Sequence, residues 1–382
     1  MYFLLGAILL DLLGLGLIRP TLPLYVQSVF GVGALEVSWI PAAFGVGKLL
    51  ADLPAGLIMD RMGRSRLMAA GLVLVAAVDI LSGLEVSFSR FVVLRSLAGL
   101  GFGLFVTTAA AAVLDLAPPA GRGRYMGTYL LAGDIGAMLG AGAGGWIYEQ
   151  VGVRIPFFAK ALAAAGAALL AGKAPLQGSR REGPVRVEVR RVLHLPGLLL
   201  ICLVNMVLFM ADVGVLALLL PLSLGARGFP PQVIGLVIAL VAAAQIAALA
   251  VGSRLADRWG KIVVLTPGLL LYAGGLLVLL VAPAASPPWL AAVTIGAGSG
   301  AARAAPAALI GDIAPAAFHG VAMGLFRTFT DIGMICGPVL LGWVASIAGF
   351  EVAFWTAAGS LGLAILPLQL VSHRKPAGFG TR

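Results

Sequence analysis

The chain has 382 residues, 60% of them hydrophobic and only 11% charged. Soluble domains carry roughly 25% charged residues, so a water-soluble fold is excluded. The net charge of +10 would suggest nucleic acid in a soluble protein, but here the basic residues fill short breaks between long apolar runs. That placement points to a lipid bilayer and to no nucleic-acid partner.

In chain order, the apolar runs exceed the ~18 residues that separate a membrane span from a core helix. They predict twelve helical spans at about 2–27, 35–59, 67–84, 88–116, 123–149, 154–172, 196–225, 231–256, 262–282, 288–314, 319–348 and 351–372. Strand-like alternation is absent, so a membrane barrel is not expected. The first run lacks a basic leader and a small-residue cleavage site and reads as a retained span. Lys and Arg crowd alternate loops, at 61–66, 122–124, 173–191, 258–261 and 374–382, against Arg90, Arg154 and Arg227 on the other side. This bias places both termini and the central loop in the cytoplasm. The stretch 173–195 is the one long linker, basic and punctuated by Pro and Gly. It divides the chain into bundles at 1–172 and 196–382.

The two bundles repeat one pattern. Gly56, Asp60, Arg61, Gly63 and Arg64 form G-x3-D-R-x-G-R, and 197 residues on Asp257, Arg258, Gly260 and Lys261 follow Ser253 in a weaker copy. At the same offset Gly99, Gly101 and Gly103 match Gly296, Gly298 and Gly300, and Asp134 matches Asp331. Each half has an even number of spans, so the repeats enter the membrane from the same side and are parallel. The 52 glycines suit close helix packing in lipid.

Charges inside spans are the sharpest clue. Each costs roughly 2.5–3.5 kcal/mol at a span centre, so it normally faces a cavity or a partner. Asp11 lies in span 1, Arg95 in span 4, Asp212 in span 7 and Arg303 in span 10. Lys48 with Asp52, and Arg327 with Asp331, are spaced i,i+4 for pairing along one helix face. Asp134 is near mid-span. Asp79, on span 3, is expected to be peripheral, while Asp115 and Asp312 anchor loops. Cys202 and Cys336 fall within spans and are expected as free thiols. The three His are scattered, so no metal site, cofactor or enzyme chemistry is expected.

The doubled D-R-x-G-R turn resembles the loop signature of the major facilitator superfamily, and the resemblance covers the whole chain. It implies an all-α membrane fold, two six-helix bundles related by a pseudo-two-fold axis along the membrane normal. Span 5, with Gly127, Gly136, Gly140, Gly144 and Gly145, is similar to the motif of drug:proton antiporters, although Ala141 stands where Pro is usual. Span 11 repeats it through Gly333, Gly337 and Pro338. Arg95-x2-Ala98-Gly99-x-Gly101 resembles a family motif, with Ala in place of Gln. Leu10 to Pro20 is similar to the first span of tetracycline exporters.

The resemblance implies that spans 1, 4, 7 and 10 line a cavity, each bringing one charge, and that Asp60 latches the bundles by meeting the N-terminus of span 11. The function expected is proton-coupled export of small amphipathic compounds by a monomer in a prokaryotic plasma membrane. Asp11 with Arg95 is the first pair to consider, and Lys48 with Asp134 or Asp331 the second. A symporter or facilitator importing a metabolite, and a non-transporting receptor or scaffold, are the alternatives.

Overall fold

The computed structural model describes all residues except 119–120, 175–194, 196, 283–286, 316–317, 367 and 369–382, and leaves aside the side chains of 53, 56, 57, 59, 60 and 320. The described residues are helical throughout, with no strand. Span 1 is Tyr2–Ile18 followed by Leu22–Phe30, bent by 45° at the break. Pro20 and Pro23 flank that break, and a ring nitrogen cannot continue the hydrogen-bond ladder. Spans 2 to 6 are Ala34–Met62, Arg64–Leu84, Phe88–Leu116, Arg122–Gln150 and Ile155–Gly172.

In the second half, span 7 runs Leu198–Ala226 with a π-helical segment at Val215–Leu219. Spans 8 and 9 are Pro231–Trp259 and Lys261–Val281. Span 10 is Trp289–Arg303 plus Pro306–Ile313, again broken before a proline. A single helical stretch, His319–Leu363, turns at Gly349, whose φ of 85° is open to glycine and divides spans 11 and 12. The twelve predicted spans are thus recovered in order. The 173–195 linker falls mostly outside the described residues.

The repeat is three-dimensional. A Cβ added at Gly136 would strike the Leu9 carbonyl, and one at Gly333 the Met206 carbonyl, 197 residues on. Gly103 approaches Lys48 as Gly300 approaches Gln245. The antiporter-motif glycines therefore serve close packing: Gly136, Gly140 and Gly144 seat span 5 on span 1, and Gly333 and Gly337 seat span 11 on span 7. Gly145 instead meets Pro231 across the two halves. Gly127 has no atom within 4 Å of an added Cβ, so it packs against nothing, contrary to the motif reading.

The two ends of the molecule differ. At the end bearing the Gly31 turn the halves are in contact: Gly225 meets Leu24, Gly342 meets Ser38, and Glu149 accepts a hydrogen bond from the Gln232 N–H at 3.1 Å. At the end bearing the Gly63 and Gly260 turns they part. Added Cβ atoms at Gly127 and Gly324 would meet nothing. A cleft of about 330 Å³ lies there, lined by Leu49, Asp52, Thr107, Gly324, Arg327, Thr328 and Asp331.

Candidate functional site

Three groups of charge lie within the bundles. The first is enclosed in the N-terminal half. Asp79, fully buried, accepts from Arg95 Nη2 at 2.8 Å and from Lys160 Nζ at 2.5 Å. Arg95 also donates to Ser82 Oγ and lies over the rings of Phe91 and Phe157, at 5.3 and 5.6 Å. Lys160 lays its stem against Gly14 of span 1, where an added Cβ would stand 3.0 Å from its Cγ. Asp11 lies beside this knot, 1% exposed, with its Oδ2 unpartnered.

Two expectations are corrected here. Arg95 pairs with Asp79 and not with Asp11, and Asp79 is the centre of the cluster and not peripheral. The physical reason is compensation. A guanidinium and an ammonium taken out of water need an anion, and Asp79 is the carboxylate that spans 4 and 6 both reach. Asp11 and Arg95 accordingly point into the bundle and do not line a cavity.

The second group crosses the halves. Lys48 Nζ bonds Asp52 Oδ2 on its own helix and Asp331 Oδ1 on span 11, both at 2.8 Å. Thr107 donates to the other oxygen of Asp52 at 2.5 Å. Arg327 is exposed on the cleft and forms no ion pair with Asp331, because Asp331 faces Lys48.

The third group lies between the halves at mid-span. Arg19 and Asp134 interact electrostatically with one another and each with Asp212 and Arg303. Asp212 accepts from Gln245 Nε2 at 3.2 Å, and that amide also donates to Ser299 at 2.9 Å. The Arg303 guanidinium carbon lies over the Phe209 ring, 5.4 Å from its centroid.

At the turns, Gly63 and Gly260 adopt φ of 81° and 103°, which explains the glycine in both copies of the motif. Arg64 pairs with Asp115 and Lys261 with Asp312, the latter at 2.5 Å, so these loop carboxylates tie spans 3 and 9 to spans 4 and 10. The side chains of Gly56 and Asp60 lie outside the described residues. Arg61, Asp257 and Arg258 are exposed. Cys202 and Cys336 are both free.

Sequence reasoning overlooked Lys160, Arg19 and Gln245. The repeat held a signal for Lys160: its counterpart is Ala357, so its charge is not required by the fold of a half.

A family model described as Major Facilitator Superfamily matches residues 4–230 and 201–381. The chain belongs to that superfamily. Multidrug resistance protein MdtG of Citrobacter koseri is 29% identical over 359 residues, covering 90% of this chain and 87% of that protein. Among solved structures, the nucleoside transporter NupG superposes with a TM-score of 0.82 at 12% identity, covering 97% and 98% of the two chains. A D-xylose–proton symporter does so with a TM-score of 0.78 at 17% identity, covering 96% and 95%. The chain is therefore a multi-pass membrane protein of a transporter family, and the structural likenesses speak for the fold.

Proposed function

We propose that this chain exports small amphipathic compounds in exchange for protons, by alternating access, as a monomer in a prokaryotic plasma membrane with both termini in the cytoplasm. Export is supported by the relatives named as multidrug resistance proteins. Proton coupling rests on one observation: Asp11, enclosed in the N-terminal bundle, has an oxygen with no partner beside Lys160. A carboxyl group there changes its interaction with Lys160 and Asp79 whenever it gains or loses a proton. Span 1 also packs on span 5, whose far end touches span 8, so a shift at Asp11 has a packed route to the other half.

The positive-inside bias puts the Gly63 end in the cytoplasm, so the halves here part on the cytoplasmic side. Lys48 and Asp331 close the opposite side at the floor of the cleft. Asp60 holds the cytoplasmic side in the reverse state, against the positive N-terminus of span 11. Asp60→Asn then raises cysteine labelling from the cytoplasmic side, with Cys202 and Cys336 replaced, and Asp257→Asn does so less. Unchanged labelling with a large loss of substrate affinity would sink the latch.

The decisive experiment is efflux from proteoliposomes under an imposed pH gradient. Asp11→Asn is expected to insert and fold and to lose gradient-driven efflux. Full coupled transport by that variant removes Asp11 as the coupling group, and uptake with the gradient by the unaltered protein makes it a symporter.

A further inference from the structure

The start of span 8 is completed by the other half of the molecule. The first N–H groups of a helix lack intrahelical acceptors and need partners from outside. Span 8 begins at Pro230 and Pro231, and a proline ring nitrogen has no hydrogen to donate. The N–H groups of Val233 and Ile234 both reach the Pro230 carbonyl, at 2.9 and 3.2 Å. That leaves the N–H of Gln232, which donates to Glu149 Oε2 at 3.1 Å. Glu149 lies in the last turn of span 5, in the N-terminal half. The two backbones are pressed together beside it. An added Cβ at Gly145 would stand 2.1 Å from the Pro231 carbonyl oxygen, and one at Gly235 2.6 Å from that of Ala141.

The repeat shows that the fold does not require this arrangement. Span 2 is the counterpart of span 8, and it carries an acid of its own, Glu36, in its first turn. Span 8 has Val233 at the matching position, and its first turn holds no acid. Glu149 corresponds to Ser346, whose hydroxyl turns back to the Trp343 carbonyl of its own helix. The positive end of the span 2 dipole therefore has a carboxylate on the same helix, wherever the halves stand. The positive end of span 8 has one only while spans 5 and 8 touch. A contact kept in both states leaves their balance alone, whereas one made in a single state shifts it.

We infer that Glu149 is the latch of the Gly31 end: its carboxylate, held on the N-terminus of span 8, keeps that end closed and lets go when the halves part there. The contact combines a hydrogen bond to the Gln232 N–H with the attraction of a full negative charge to the helix end. It is the reverse of the latch proposed for Asp60, at the other end of the molecule and on span 8 instead of span 11. The contact is exposed, so water screens it and its effect is a bias, not a lock. This inference takes the halves to part at the two ends in turn, and so rests on the alternating-access reading above.

The test is a distance distribution between two spin labels, measured by pulsed electron resonance on the full-length protein in lipid nanodiscs. The labels go on Val86→Cys and Leu290→Cys, with Cys202 and Cys336 replaced. Both positions are exposed at the Gly31 end, one in each half and both outside the seam of spans 5 and 8. Glu149→Gln keeps an oxygen that can accept from Gln232 and removes the charge. It is expected to raise the ratio of long to short distances about two- to fivefold. Gln232→Glu gives span 8 a first-turn acid of its own and sets a like charge beside Glu149, so it should shift the ratio the same way. Glu36→Gln removes the corresponding acid of span 2 and should leave the ratio unchanged. A ratio that Glu149→Gln does not raise, or raises no more than Glu36→Gln does, overturns the latch and leaves alternating access standing. One distance in the unaltered protein and in every variant, at neutral and at acid pH, sinks alternating access and the latch with it.

Discussion

The same positions in the two halves are filled in opposite ways. Asp79, Arg95, Ser82 and Lys160 form the charged knot of the N-terminal bundle, with Asp11 beside it. Their counterparts 197 residues on are Leu276, Ala292, Leu279, Ala357 and, for Asp11, Leu208, all buried and apolar. The surroundings are otherwise alike, for Phe157 and Phe354 occupy equivalent buried places. One backbone arrangement therefore folds around either a salt-bridged centre or a leucine core. The charges are not what the fold requires. Buried ion pairs are weak evidence for stability, since apolar residues of similar volume replace them with little loss. Their presence in one half alone is what the proposed coupling through Asp11 would require of that half.

The largest expected effect breaks this comparison one residue at a time. Asp79→Leu leaves Arg95 and Lys160 buried without their anion and should destabilise the protein by about 3–5 kcal/mol. Converting Asp11, Asp79, Arg95 and Lys160 together to Leu, Leu, Ala and Ala reproduces the C-terminal core at every charged position, with Ser82 left in place of its counterpart Leu279. That variant should recover most of the loss in thermal denaturation while showing no gradient-driven efflux. Additive losses across the four changes would mean that the knot is a set of independent contacts.

A second contrast lies along span 5. At Gly140 an added Cβ would stand 2.1 Å from the Leu13 carbonyl, so Gly140→Ala forces span 5 off span 1. Overpacking of that kind costs typically about 1–3 kcal/mol. Gly127, in the same helix, meets nothing, and Gly127→Ala should stabilise by about 0.5–1 kcal/mol through helix propensity. The matching pair in the other half, Gly337 and Gly324, should behave alike. If Gly127→Ala destabilises as much as Gly140→Ala, the open end seen here is not the resting arrangement in the membrane.

These contrasts also show what the sequence could express. The spans, their number and the repeat were legible because hydropathy and turn glycines are local signals. Gly63 and Gly260 carry their reason in their own φ angles. Pairings across helices were legible only in part. Lys48 with Asp331 was among the candidates, and i,i+4 spacing marked Lys48 with Asp52. Asp79 was misjudged because span order alone does not say which face of a span turns inward. Lys160 was missed because a single Lys in an alanine-rich run gives no periodic signal. Its role emerges only when spans 3, 4 and 6 are brought together. Arg19 stood in view inside the span 1 motif, but that it closes to no ion pair with Asp134 or Asp212 is a fact of geometry.

The smallest expected effect concerns the contact that joins the halves. Lys48 corresponds to Gln245 in the repeat, and Asp331 to Asp134. The cross-half pair therefore exists in one sense only: Lys48 reaches Asp331, whereas Gln245 turns to Asp212 and Ser299. Lys48→Gln makes the two senses alike. It replaces an ion pair whose side chains are 16% and 5% exposed by a neutral hydrogen bond, still within reach of Asp331. Partial exposure and the neighbouring Asp52 limit the loss to about 1 kcal/mol, about a fivefold shift toward states in which the Gly31 end is open. Because Lys48 touches both halves, the shift should appear in labelling of single cysteines placed near Ser38 and Gly342, while the thermal midpoint barely moves. A large drop in stability with unchanged labelling would show that Lys48 braces its own bundle through Asp52 and Thr107, and that the contact with Asp331 does not set the balance between the two ends.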